Sequence, residues 1–427
     1  MTKNELKARV AEIIDARAED IYSIGEKILN APEMGYKEHQ TAELVCSELA
    51  RLGIPYKSGL AITGVKGNLS GRQSLARVAI MGELDAVICS LHPKADCVSG
   101  AAHACGHNVQ IAVMLGTAMA LSEIAPMLDG DVCFFATPAE EYAEIGFREK
   151  LRENGDVEFF GGKQELIRLG EFDDVDIAMM VHASDASPER EAFLDGGSLG
   201  FIAKTIDFIG KAAHAGGAPH EGINALNAAT IAMSCINAQR ETFRDEDKIR
   251  VHPIITNGGE LVNVVPAKVT METYVRGASL AAINDAAGKV DRAVTGASYA
   301  IGASCDIKNY KGYLPLNQSD ELGKLFESNI TSLPYGARIR RGVDLGGSTD
   351  AGDLSHLIPT IHPMLGGYIG CGHSAEFGVH DKEFAYLGAA KALAMTVVDL
   401  LADGADEALR IKSSFTPRLT KDEYLKF

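Results

Sequence analysis

The sequence predicts an α/β protein: a mixed, mostly parallel sheet flanked by helices, with a smaller α+β domain inserted into it. Three observations carry that prediction. Short apolar runs bounded by turn residues, at 76–82 (ARVAIMG), 131–136 (DVCFFA) and 176–182 (DIAMMVH), read as buried strands that alternate with helical segments such as 109–123. All three runs end at candidate chemistry, namely Glu83–Asp85, Glu140–Glu141 and His182. In open α/β sheets ligands bind beyond the carboxyl ends of the strands. After Ser187 the pattern changes, and 198–209 alternates as half-buried antiparallel strands do.

The elements follow in order. Residues 3–30 read as one amphipathic helix, capped by Thr2 and Glu5 and ended by Pro32. A helix over about 39–52 stops at Gly53. The inserted domain reads as strand 198–209, helix 222–239, strands near 249–257 and 267–276, and a helix near 279–297. From about residue 312 strand–helix alternation resumes, closing with a helix near 381–402. The expected division is a discontinuous larger domain, 1–195 and 312–427, around an insert of 196–311. A chain of 427 residues is too long for a single core of usual size.

Composition narrows the function. A net charge of −17 argues against nucleic acid and anionic membrane as partners, since both need a basic face. The N-terminal segment lacks the continuous apolar core of a signal peptide, and no stretch reaches about 20 uninterrupted apolar residues. Eight scattered cysteines without framework spacing read as reduced thiols, mostly small buried hydrophobes, and suggest a cytoplasmic protein.

Cys105 is the exception. His103-Ala-Cys-Gly-His107-Asn108 sets a thiol and an imidazole two residues apart before a helix start, which suits a divalent transition metal. Downstream, Thr137-Pro-Ala-Glu140-Glu141 offers one carboxylate ligand and one free base.

These segments resemble the metal-dependent aminoacylases and carboxypeptidases that include hippurate hydrolase, the indole-acetyl-amino-acid hydrolases and the aminobenzoyl-glutamate hydrolases. The resemblance extends to Glu83-Leu-Asp85, Gly210-Lys-Ala-Ala-His214, Glu221-Gly-Ile-Asn, Asn263-Val-Val-Pro266, Gly347-Ser-Thr-Asp350 and Gly372-His373-Ser, in the family's order over almost the whole chain. It implies a ferredoxin-like lid and dimerisation domain for the insert. It implies metal ligands Cys105, His107, Glu141, His182 and His373, holding one or two ions of manganese or zinc, with cobalt as a further candidate. Glu140 would be the general base and Asp85 an aspartate that fixes a ligand or tunes that base. His214 and Asn263 would stabilise developing oxyanion charge, and Arg276 would grip a substrate carboxylate beside the wall of Ser348 and Thr349. His103, His220, His252, His356, His362 and His380 receive no role. The expected partners are a small carboxylate-bearing substrate and further copies of the chain, as a homodimer or larger homo-oligomer joined through the lid.

Three features depart from the hippurate hydrolase-like pattern: Glu83 and Asn108 stand where its members usually have aspartate, although a sub-branch near the aminobenzoyl-glutamate hydrolases also carries asparagine at the second position, and residues 142–160 intervene before Gly161-Gly-Lys163. The insert reads either as a lid over the pocket or as a surface excursion. The leading expectation is hydrolysis of the amide of an N-acyl or N-aroyl amino acid by metal-activated water. The alternative is hydrolytic deamination of a small aromatic amine acid, such as a nitroanthranilate, releasing ammonia. A third reading, a metal-binding relative without turnover, is disfavoured by the retention of Glu140.

Overall fold

A computed structural model of the chain describes residues 1–426. It divides into two compact units: Met1–Gly197 with Asn317–Asp344 and the chain from Asp353 onward, and Ser198–Leu316 with Leu345–Gly352.

The larger unit is built on a six-stranded sheet. Its strands are β1 (Tyr56–Leu60), β2 (Gly64–Leu69), β3 (Arg77–Glu83), β4 (Asp131–Thr137), β5 (Ile177–Met179) and, far along the chain, β11 (Thr360–Ile361), in the spatial order β1-β2-β4-β3-β5-β11. The pairs β4–β3, β3–β5 and β5–β11 are parallel, and β1 and β2 add an antiparallel edge. Every residue of β4 is buried, as is nearly all of β3. That continuous burial explains why these runs are apolar throughout instead of alternating, because helices cover both faces of a parallel sheet.

The helix α4 (His107–Ile124) packs on β3 and is covered in turn by α1 (Lys3–Ala16), α2 (Ala18–Leu29) and the late helix α10 (Ala389–Leu401). Two helical stretches, His107–Met127 and Glu383–Leu401, are long and apolar enough to span a membrane, yet 83% and 94% of their apolar windows are buried inside the protein. They are core helices.

Several expectations change. The helix expected over 3–30 is two helices, broken at Arg17, where φ −104° and ψ 11° leave the helical range. The break lets α1 pack on α10 while α2 packs on α4. The run 176–182 is strand only over Ile177–Met179; His182–Ala183 belongs to a second small sheet, paired in parallel with Met364–Leu365. The last helix opens with a π-helical stretch, Glu383–Gly388.

The smaller unit contains β6 (Gly200–Ile209), α7 (Ala225–Ala238), β7 (Arg250–Val251), β8 (Ile254–Asn257), β9 (Lys268–Gly277), α8 (Leu280–Ile301) and β10 (Ser304–Lys311). The sheet is antiparallel in the order β7-β9-β6-β10, with β8 also on β9. This βαββαβ arrangement is ferredoxin-like. Residues 345–352, expected in the larger domain, cluster here instead. Leu199 donates to the Gly347 carbonyl at 2.9 Å, and the Arg276 guanidinium donates to the Ser348 hydroxyl. Strand β10 was not read from the sequence because it is an edge strand with mostly exposed polar residues.

Candidate metal centre

The ends of β3 and β4, the start of α4 and two loops converge in the larger unit. Gly106, between Cys105 and His107, has φ 84°, and a Cβ there would lie 2.9 Å from the Ala183 side chain. Only glycine meets both demands, so the Cys-Gly-His spelling follows from the backbone turning into α4 beside the His182 segment. Asn108 donates to the Gly25 carbonyl at 3.1 Å, tying α4 to α2; an ionised aspartate in its place could not make this bond. His373 occupies a loop framed by the antiparallel pair Tyr368–Ile369 and Gly378–Val379. It has φ 60°, and its N–H donates to the Ala104 carbonyl at 2.8 Å, one residue before Cys105.

The side chains form two triads that share a sulfur. Cys105, His107 and His182 offer donor atoms all within 4.8 Å of one another, and so do Cys105, Glu141 and His373. Cys105 Sγ lies 3.5 Å from His182 Nε2, and Glu141 Oε1 lies 3.4 Å from His373 Nε2 and 3.9 Å from His107 Nε2. His107 Nδ1 is 2.8 Å from the Asp85 carbonyl, which can only accept. In the neutral ring that bond places the proton on Nδ1 and turns the Nε2 lone pair inward. His107 Nε2 and Glu141 Oε1 are buried without a hydrogen-bond partner. Buried polar atoms are rarely left so, and a convergent set of thiolate, imidazole and carboxylate donors fits divalent transition ions. Asp85 also accepts the Glu141 N–H at 2.9 Å, so one aspartate orients two ligand candidates. Glu140 belongs to a third close group with Glu83 and His107, again within 4.8 Å.

Electrostatics match this arrangement. Burial and Glu141 push the Cys105 thiol up, but His182 and His107 together outweigh them and bring it to about 6. Burial lowers His182, while the Cys105 thiolate raises it to about 9. His373 is raised to about 11, chiefly by the closeness of Cys105 and then Glu141. Burial opposes the charge on Glu83, yet Lys163 and then His107 hold its carboxyl far below the ordinary range.

Several contributors escaped the sequence reading. Glu38, fully buried, accepts the Ala139 N–H at 2.8 Å and the Thr63 hydroxyl at 2.7 Å. Arg148, 1% exposed, donates to the carbonyls of Ala139 at 3.0 Å, Ala143 at 2.6 Å and Phe160. The insert 142–160 therefore carries a helix, α5 (Ile145–Asn154), whose arginine fastens it to the turn before Glu140. His362 stacks on His182 with ring centroids 5.4 Å apart, and neither of its ring nitrogens has a hydrogen-bond partner. Burial first, then His182, holds His362 neutral at about 3. Glu38 and Arg148 lie outside any local motif, and no spacing in the sequence points to them.

His214, Asn263, Arg276, Ser348 and Thr349 all belong to the smaller unit. His214 is exposed, and its Nδ1 accepts N–H bonds from Gly216 at 3.1 Å and Gly217 at 2.9 Å, so the ring proton sits on Nε2 as an outward donor. Its neighbour Ala215 donates to the Asn263 carbonyl at 2.9 Å. Arg276 stacks over Phe201 and Tyr274, with distances of 5.2 and 5.4 Å to the ring centroids. It borders a cavity of about 320 Å³ together with Arg250, His252, Glu272 and Tyr274. Thr349 is buried, and its hydroxyl accepts the Ala351 N–H at 3.2 Å.

Comparison with known proteins places the chain in a family. The profile described as Peptidase family M20/M25/M40 matches residues 79–402. An Xaa-Arg dipeptidase of Mus musculus is 30% identical over 421 residues, spanning 93% of this chain and 89% of the relative. An N-acyl-L-amino acid amidohydrolase of Geobacillus stearothermophilus is 28% identical over 338 residues, spanning 75% of this chain and 83% of the relative. Among solved structures, a dinuclear metal-binding peptidase of Bacillus subtilis superposes with a TM-score of 0.68 at 22% identity, over 91% of this chain and 99% of its own.

Proposed function

From membership of peptidase family M20/M25/M40, to which this chain belongs, we propose a substrate and a division of labour for a metal-dependent hydrolase of C–N bonds. The substrate is the amide of an N-acyl or N-aroyl amino acid. The observation that carries this reading is the pair of triads sharing Cys105, with Glu140 beside them. The amidohydrolase relative supports the acyl side, and the dipeptidase relative supports a leaving amine that bears a carboxylate.

Cys105, His107, Glu141, His182 and His373 hold one or two divalent ions, manganese or zinc before cobalt. When bound, the ions polarise the scissile carbonyl and acidify water. Glu140 takes the proton from the attacking water and returns it to the departing nitrogen. Asp85 keeps His107 and Glu141 in place. His214, through Nε2–H, and Asn263 donate to the developing oxyanion. Arg276, steadied by Ser348, grips the substrate carboxylate as a planar bidentate donor, with Thr349 in the adjoining wall. The working form is a homodimer or larger homo-oligomer joined through the smaller unit. Eight free cysteines support a cytoplasmic location.

A second reading is favoured by the insert that follows Glu141. Tyr142 and Phe160, each 2% exposed, pack with ring centroids 5.8 Å apart immediately after the ligand pair. In this reading the substrate is a small planar aromatic amine acid, whose ring carbon would be attacked with loss of ammonia. The test is the product. Manganese- and zinc-loaded protein is offered benzoyl-amino acids, N-acyl dipeptide mimics and aminobenzoates. Release of a free amino acid supports amide hydrolysis. Ammonia with a hydroxylated ring supports deamination, and would replace the first reading.

A further inference from the structure

We propose that Glu83 is an additional ligand of the metal centre, on the His107 side, held in place by Lys163 and Gln110. The proposal rests on the metal reading above and adds a donor to it.

Glu83 ends β3 and is completely buried. Its two oxygens have different company. Oε1 accepts from Lys163 Nζ at 2.6 Å. Oε2 accepts from Gln110 Nε2 at 2.9 Å and lies 3.2 Å from His107 Nε2. Gln110 cannot rotate away, because its own Oε1 accepts the Glu83 N–H at 3.1 Å.

The contact with His107 is the geometric basis of the proposal. His107 Nδ1 is committed to the Asp85 carbonyl, so in the neutral ring Nε2 presents a lone pair. A carboxylate oxygen and that lone pair face each other at 3.2 Å, and Nε2 has no hydrogen-bond partner. Either a proton on Nε2 or a metal ion can sit between the two atoms, and a bound ion takes the proton's place; Glu140 offers a further donor atom within 4.8 Å of both. Donors each about 2.1 Å from one ion lie about 3.0 to 3.4 Å apart in octahedral or tetrahedral coordination. The Glu83–His107 separation falls in that range, beside the 3.4 Å of Glu141–His373 and the 3.5 Å of Cys105–His182.

Aspartate, one methylene shorter, would carry its carboxylate less far from the strand end. The glutamate arm reaches His107 while Lys163 neutralises the oxygen that faces away from the ring. The result is a donor set of sulfur, nitrogen and carboxylate oxygen, harder than thiolate and imidazole alone, which raises the relative affinity for manganese.

The test uses the full chain stripped of metal. Glu83→Gln keeps the shape of the side chain but leaves Lys163 without its counter-charge. Glu83→Gln combined with Lys163→Met removes both charges and serves if the single variant does not fold. Mn2+ binding is followed by electron paramagnetic resonance, metal content by elemental analysis, and the Co2+-loaded proteins by their visible bands. We expect Mn2+ affinity at one site to fall by about tenfold or more, and the Co2+ bands to intensify as a ligand is lost. A folded variant with unchanged Mn2+ affinity and unchanged Co2+ bands overturns the proposal and leaves Glu83 as the counter-ion of Lys163. Wild-type protein that takes up neither ion refutes the metal centre itself, a result distinct from a failure of Glu83 alone.

Discussion

Ala139 stands one residue before Glu140 with φ 55°, a region that residues with side chains seldom occupy. Its peptide is held on both sides: Glu38 accepts the N–H, and Arg148 donates to the carbonyl. Strain of this kind persists only where surrounding contacts over-determine it. Arg148→Met should therefore lower kcat by about tenfold with little change in KM, and reduce stability by about 2–4 kcal/mol, since it leaves buried carbonyls without donors. Chemical denaturation and steady-state kinetics measure both effects. Glu140→Gln should lower kcat by about 10²- to 10⁴-fold while metal content stays at the wild-type level. An unchanged rate removes Glu140 from the mechanism. At this scale the sequence was informative where chemistry is written locally, as in Cys105-Gly-His107 and Glu140-Glu141. It was silent on Glu38, Arg148 and His362, whose partners lie 101, 9 and 180 positions away or are reached only by ring stacking.

Among the elements, the strand ends and the first turn of α4 gather charges that protons balance when no ion is bound. His182 and His373, raised to about 9 and 11, and His107, raised well above its ordinary value, are protonated at pH 7 in the metal-free protein. Ligation requires neutral imidazole, so loading must expel those protons. Metal affinity should rise with pH through about 9 and on to about 11, where His373 loses its proton, and loading at pH 7 should release up to three protons per subunit. Cys105, at about 6, is mostly thiolate by then and contributes little. Calorimetry in buffers of different ionisation enthalpy checks the count; loading without proton release contradicts it. Strands β3 and β4 were legible because complete burial writes an uninterrupted apolar run between turns. The break at Arg17 was not, because it lets α1 pack on α10 as well as on α4, the helix that α2 covers, which the amphipathic pattern of 3–30 does not encode.

For the whole molecule, the two units carry different parts of the proposed machinery: the ligand candidates and Glu140 in the larger, His214 and Arg276 in the smaller. If His214 serves a neighbouring subunit, His214→Ala and Glu140→Gln proteins, each nearly inactive, should recover about a quarter of wild-type activity when mixed as dissociated and reassociated dimers. Absence of recovery confines His214 to its own subunit or removes it from the reaction. The change of pattern after Ser187 revealed that there are two units. The seam was harder to read, because residues 345–352 join the smaller unit through pairings such as Arg276 with Ser348 that no local signal announces. The larger unit is also stitched from three separated stretches of chain. On the ribosome, Cys105 and His107 emerge long before His373, which follows roughly 270 residues later; at typical elongation rates that is about 15 to 50 seconds. Nascent protein must wait through that interval with its thiol made and its last imidazole still unsynthesised. With the proposed ligand set, the complete metal site would form only as a closing event of biosynthesis, and cells starved of the ion would accumulate finished chains, not stalled ones.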